Sequence, residues 1–246
     1  MIDVIRVKLP SGIKRFKMFT VEDQLRFLLT SADMENKPIS EQYQIMDEVL
    51  DILYPGYSKT EQEYIFSKVY IVSFGKNAIK VQITKGNERK ESFMVINDFE
   101  LINEYKVNDS VTLGFNFPKD RKEDETMFLD CISYILHEGT RHEWNVLSEN
   151  TKNDIVDLID FEDVKNIIAL LKKSCHVEIH REVHAESLLK LFRILFSKSE
   201  IVDFFKTNFL LNKNGLNIDT MMNISPMERS IYVSLLSEDL KKNEKA

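Results

Sequence analysis

All five histidines and both cysteines fall between Cys131 and His184, in the order Cys131, His137, His142, Cys175, His176, His180 and His184. Imidazole nitrogen and thiolate sulfur are the natural ligands of zinc, so this distribution raises a metal site and a metal-dependent enzyme as one reading. On a helix, His176, His180 and His184 would stack at i, i+4 and i+8. The residues between them argue for a strand instead. Val177, Ile179 and Val183 alternate with a polar series of His176, Glu178, His180, Glu182 and His184, and successive histidines of the trio would then stand about 13 Å apart, too far to share one ion. Val177 and Arg181 occupy the places where a metalloprotease glutamate would follow its histidine, and no CxxC pair is present. A solvated strand face is the preferred reading, and no metal ligand is assigned.

Other chemistry finds less support. There is no GxSxG elbow, no GxxxxGK[ST] loop and no GxGxxG turn, which removes the usual signatures of acyl transfer, phosphate-loop hydrolysis and dinucleotide binding. Ser73-Phe74-Gly75 is only the second half of an elbow, with Ile71 at the first glycine position. Asp157, Asp160, Glu162 and Asp163 lack the spacing and glycine of a calcium loop and read as helix-end residues. No catalytic residue and no cofactor is assigned. Trp144 could anchor an interface but reads first as core. Ile201, Phe204, Phe205 and Leu211 likewise read as one core stripe, with a partner groove containing Phe209 as the alternative.

The elements that must position these residues follow from hydrophobic period and end signals. Residues 2–9 and 13–18 flank Pro10-Ser11-Gly12 and read as a β-hairpin. Helices are expected at 21–31 behind Thr20, from Ser40 to 53, and from Thr60, with Glu63 as its capping-box partner and Ile65, Val69 and Val72 as its apolar face. The period then changes to two at 78–84, 92–96 and 111–117, giving a small antiparallel sheet. Further helices are expected at 125–137, 152–159, 161–173 behind Asp160, 186–196, 200–211 and 226–241, the last opened by Ser225, Pro226 and Glu228. The fold class is α+β: an N-terminal hairpin with helices and a small antiparallel sheet over 1–118, a charged connection at 119–125 (KDRKEDE), and a mainly helical C-terminal lobe with one or two strands over 126–246.

Composition narrows the class. Seven glycines and five prolines in 246 residues exclude collagenous and linker-like chains, and two cysteines make no disulfide framework. No apolar run reaches the roughly 18 residues of a membrane span, so a soluble intracellular protein is expected. The formal charge of −7 disfavours nucleic acid as a partner, yet Arg6, Lys8, Lys14, Arg15 and Lys17 crowd the first 20 residues beside Asp3 alone. Lys14, Arg15 and Lys17 are the expected partner-binding residues, with an acidic protein surface as the partner.

Read in order, LPSG (9–12), FKMFTVEDQLRFLL (16–29), EYIFSKVYIVSFGKNAIKVQI (63–83), VTLGFNFP (111–118) and the segment 200–242 resemble the baseplate proteins of T4-type contractile-tailed phages, which include hub subunits and the hub assembly protein. The resemblance implies a non-enzymatic assembly factor, or chaperone, whose partners are baseplate hub proteins in the host cytoplasm. A permanent hub subunit carried in the virion is the alternative it leaves open. The length is closer to the assembly factor than to the shorter hub subunit.

Overall fold

A computed structural model describes residues 4–76, 78–85, 88–96, 103–116, 127–175, 179–180 and 188–243. The chain opens with β1 (Val4–Leu9) and β2 (Gly12–Lys17), paired antiparallel from Val4/Lys17 to Leu9/Gly12. Three helices follow: α1 (Val21–Met34), α2 (Ile39–Leu53) and α3 (Lys59–Phe74). Next come β3 (Ala78–Lys85) and β4 (Glu88–Ile96), then β5 (Glu104–Lys106) and β6 (Val111–Phe115). The short α4 (Met127–Cys131) runs into β7 (Ile132–His137) and β8 (Thr140–Glu143), and a 3-10 turn spans Trp144–Val146. The remainder holds α5 (Glu149–Val156), α6 (Phe161–Cys175), β9 (Ile179–His180), α7 (Leu188–Leu195), α8 (Glu200–Lys213), α9 (Ile218–Asn223) and α10 (Pro226–Asn243). Among the described residues there are three sheets, all antiparallel, with orders β1-β2, β3-β4-β9 and β5-β6-β7-β8. The fold is α+β.

Local chemistry explains most helix starts. Thr20 and Asp23 exchange capping bonds at α1, as do Ser225 and Glu228 at α10, and Asp160 accepts from the Asp163 N–H at 2.8 Å. At α3 the box is formed by Ser58 and Glu61, not Thr60 and Glu63. Both pairs have the right spacing, but the earlier one wins because Thr60 is buried in the first turn and Glu63 is buried farther along. Ser40 does not cap α2. Pro38 holds that position without a side-chain bond, and Gln42 Nε2 donates to Lys37 O at 2.7 Å. α5 starts three residues before the expected 152, behind the Ser148 cap, and α9 was not anticipated.

The largest departure is at 125–137, expected as one helix. Only Met127–Cys131 is helical there, and Ile132–His137 pairs with β6 on one side and β8 on the other. Gly139 does not stop a helix. It sits with Glu138 between His137 and Thr140, at φ 80° and 47°, the two positive values of a type I′ hairpin turn. Of the expected strand over 175–184, Cys175 ends α6 and Ile179–His180 pairs with β4; residues 176–178 and 181–184 lie outside the described residues. The charged connection at 119–125 lies outside them too.

Two apolar cores form among the described residues. The first joins the hairpin and α1–α3 to Leu188–Phe196 and Phe204. Its centre is aromatic: the Phe27 ring meets those of Phe19, Phe66, Phe192 and Phe196 at centroid distances of 4.9, 5.6, 5.7 and 5.1 Å. Burying each such ring contributes roughly 1.5–3 kcal/mol. The second core packs Ile167 and Leu171 of α6, with Phe128 and Cys131, on Val111, Leu113, Phe115, Ile132 and Ile135 of the four-stranded sheet. Tyr105 Oη donates to Asp163 Oδ1 at 2.6 Å and fastens β5 to α6.

Gly75 closes α3 in the left-handed region (φ 64°), and a Cβ there would stand 2.7 Å from Met227 Sδ on α10. Gly75→Ala should therefore destabilise the chain by roughly 1–3 kcal/mol, read from the urea midpoint. Tyr54 is buried, and its hydroxyl has no hydrogen-bond partner among the described residues. Burial, helped by the Asp23 charge, pushes the phenol above the ordinary tyrosine range. Above pH ~10 an unfolded tyrosine loses the proton the folded one keeps, so stability must fall as pH rises through that value. Tyr54→Phe should stay within about 1 kcal/mol of the parent at pH 7 and show a shallower alkaline loss. The residual slope is shared by the Tyr70 and Tyr134 phenols and the Cys131 thiol, which burial pushes up, and by the Tyr105 phenol, which its bond to Asp163 pushes up. Urea midpoints across neutral and alkaline pH check both statements.

Candidate partner-binding surfaces

The hairpin is built so that one face is anchored and the other is free. Ile5, Val7 and Leu9 are buried, β1 packs on α3, and Phe16 meets Tyr54 and Tyr57 edge-on at 5.6 Å each. Phe19 N donates to the buried Ser73 Oγ at 2.8 Å, and that hydroxyl donates to Val69 O at 2.7 Å, fixing the hairpin's exit to the end of α3. Ser73, half of an apparent nucleophile motif, is thus a structural hydroxyl with both roles spent.

Cross-strand partners share a face, so Val4/Lys17, Arg6/Arg15 and Lys8/Ile13 all project outward. Arg6, Lys8, Arg15 and Lys17 are exposed together, and none forms an ion pair with another described residue. Lys14 pairs with buried Val7 and is placed on the opposite face, half-exposed. Of the three residues expected to bind a partner, the structure unites Arg15 and Lys17, adds Arg6 and Lys8, and separates Lys14. The period of two already carried that signal, because neighbours on a strand point to opposite sides.

The C-terminal helices offer a second kind of surface. Phe204 and Leu211 are buried and Ile201 half-buried, but Phe205 is 53% exposed and Phe209 68%, so the expected core stripe includes Phe205 wrongly. Val202, Phe205 and Phe209 line the side of α8 away from its buried side. On α10, Ile231 and Leu235 stand one turn apart, both exposed, opposite the buried side marked by Pro226 and Arg229, while Met227 a turn earlier is exposed only in part and rests its thioether against Gly75. Arg229 holds this region to the rest of the molecule. Its guanidinium donates to Gln24 Oε1 at 3.1 Å and lies over the Phe204 ring at 4.4 Å, and burial lowers its ionisation to about 10. Val21 N adds a bond to Ile224 O at 2.9 Å.

The histidine and cysteine series does not assemble among the described residues, where no three His, Cys, Asp or Glu side chains group as a metal would need. Cys131 is buried in the second core, while His137 and His142 are exposed on β7 and β8. His180 pairs in backbone register with Val95, and His176 and His184 lie outside the described residues. Trp144 is half-buried against the second core, with Lys152 Nζ 5.8 Å above its ring. Among the described residues no helix is long and apolar enough to cross a membrane.

These features define an α+β protein that turns a cationic strand face and two apolar helix faces to solvent. The family model described as T4 bacteriophage base plate protein matches residues 1–206, and the chain belongs to that family. A second model, that of the baseplate hub assembly protein Gp51 C-terminal domain, matches residues 195–241, the stretch that carries α8–α10. The family is thus the T4-type baseplate hub assembly family. No curated protein and no solved structure matches the chain.

Burial, with the Asp130 charge adding to it, pushes the Cys131 thiol up to about 12. In a Cys175→Ser background, Cys131 should react with a disulfide reagent at neutral pH at least ~100-fold more slowly in the folded protein than in denaturant. Fast labelling of the native state would show that Cys131 is reachable and reopen a chemical role for it.

Proposed function

We propose that the protein is a non-enzymatic assembly factor for the baseplate hub of a contractile-tailed phage, acting through protein contacts and leaving before the virion is complete. The observation that carries this reading is the match of residues 195–241 to the C-terminal domain of a baseplate hub assembly protein, because that same stretch exposes the apolar faces of α8 and α10. Exposed apolar residues in register along a helix suit a partner that is held and released. The cationic hairpin face, where Arg15 and Lys17 stand beside Arg6 and Lys8 with Lys14 on the reverse side, supplies a second, charge-selective contact to an acidic protein surface. The host cytoplasm is the place where such a factor meets unassembled hub proteins.

Co-expression with the hub proteins of the same phage should raise the recovery of soluble hub complexes, and mass spectrometry of purified virions should find the chain well below the copy number of hub subunits. Stoichiometric copies in particles would make it a permanent subunit. Phe205→Ser with Phe209→Ser should lose the co-expression gain while changing unfolding stability by no more than about 2 kcal/mol, since Phe209 is mostly exposed and Phe205 is half exposed with its ring edge-on to Phe204.

A further inference from the structure

We propose that the outer edge of β2 captures an acidic, extended segment of a partner protein by strand addition, with glutamate or aspartate at every second position opposite the cationic face. The inference rests on the reading of the hairpin as a partner surface and names what that surface recognises. Leu9 and Gly12 close the hairpin across two residues, so the alternation of an antiparallel ladder turns the N–H and C=O groups of Ile13, Arg15 and Lys17 away from β1. No hydrogen bond from another described residue reaches these groups. An edge of this kind is a template for one more strand.

Charge selects the strand. Arg15 and Lys17 stand on the exposed face beside Arg6 and Lys8, none of them ion-paired among the described residues. An added strand would place alternate side chains about 5 Å from this face's β2 residues, at a repeat of about 6.8 Å. Carboxylates at that repeat meet the cations, and the side chains between them fall on the other face of the hairpin. Nucleic acid fits less well. The hairpin's one aromatic side chain, Phe16, packs inward on Tyr54 and Tyr57, Phe19 is buried, and the rest of the chain is acidic.

The competing role for cations on an edge strand is to prevent the protein from pairing with itself. The full chain can be titrated, by fluorescence anisotropy, with a labelled eight-residue peptide alternating glutamate with threonine and valine, with a peptide of equal charge carrying proline between the glutamates, and with an oligothymidine. The alternating peptide should bind at least about tenfold more tightly than either competitor and weaken with salt. Arg15→Glu with Lys17→Glu should abolish binding. Ile13→Pro, which removes an outward N–H and keeps every cation, should weaken it about fivefold relative to Ile13→Ser. Because that proline could disturb the hairpin, amide exchange on the unmodified protein supplies a second readout: the Ile13, Arg15 and Lys17 amides should slow when the alternating peptide is added.

Equal binding of the two peptides, unchanged exchange at these amides, tighter binding of the oligothymidine, or no peptide binding at about 1 mM would each overturn strand capture. So would self-association of an Arg15→Ser, Lys17→Ser variant that binds peptide as before. The co-expression gain is independent of this result, so strand capture can fail while the assembly role stands, and the reverse.

Discussion

The contact of Phe27 with four other phenylalanine rings is the constraint on which the first core depends. Phe19 and Phe27 come from the exit of the hairpin and from α1, Phe66 from α3, and Phe192 and Phe196 from the region of α7, more than 120 residues later. Edge-on and tilted ring pairs add directional preference to ordinary burial, so the cluster specifies how these elements meet as well as that they meet. Bringing α7 back to the first helices closes a long loop, but closure entropy grows only with the logarithm of length and is small beside the burial of several rings.

Both candidate surfaces depend on that closure. The hairpin shows its cations outward because Ile5, Val7 and Leu9 are held by the core and because Ser73 fixes the chain where it leaves β2. The C-terminal helices are fastened by a few specific contacts: Arg229 to Gln24 and Phe204, Val21 to Ile224, and Met227 against Gly75. Burying a guanidinium is costly unless its donors are used, and the Phe204 ring and the Gln24 carbonyl offset part of that cost. The helix faces opposite these contacts are left to solvent.

Several residues that resemble parts of reactive motifs have structural uses in the fold. Ser73 resembles a nucleophile and is a buried hydrogen-bonding link. Asp160 and Asp163 resemble cation ligands, yet one caps α6 and the other accepts from Tyr105. In these three residues a hydroxyl or carboxylate serves a local hydrogen bond, and such uses by themselves produce motif-like runs.

What the sequence determined by itself is whatever depends on neighbours within a few residues: the α+β class, the Thr20, Asp160 and Ser225 helix starts, the hairpin around Pro10-Ser11-Gly12, and the alternation that divides Lys14 from Arg15 and Lys17. Capping bonds and side-chain alternation act over one to four residues, so their patterns survive in the linear chain. Tertiary structure decided the rest. Ile132–His137 is a strand because β6 and β8 offer it two ladders, and Gly114 opposite Tyr134 leaves the ring the space a Cβ would take. Ser58 prevails over Thr60 because the core claims Thr60. Phe204 is covered and Phe205 is bare because Arg229 and α10 reach one side of α8 and not the other. In each case the local pattern allowed two outcomes, and a contact from a distant part of the chain supplied the burial that chose between them.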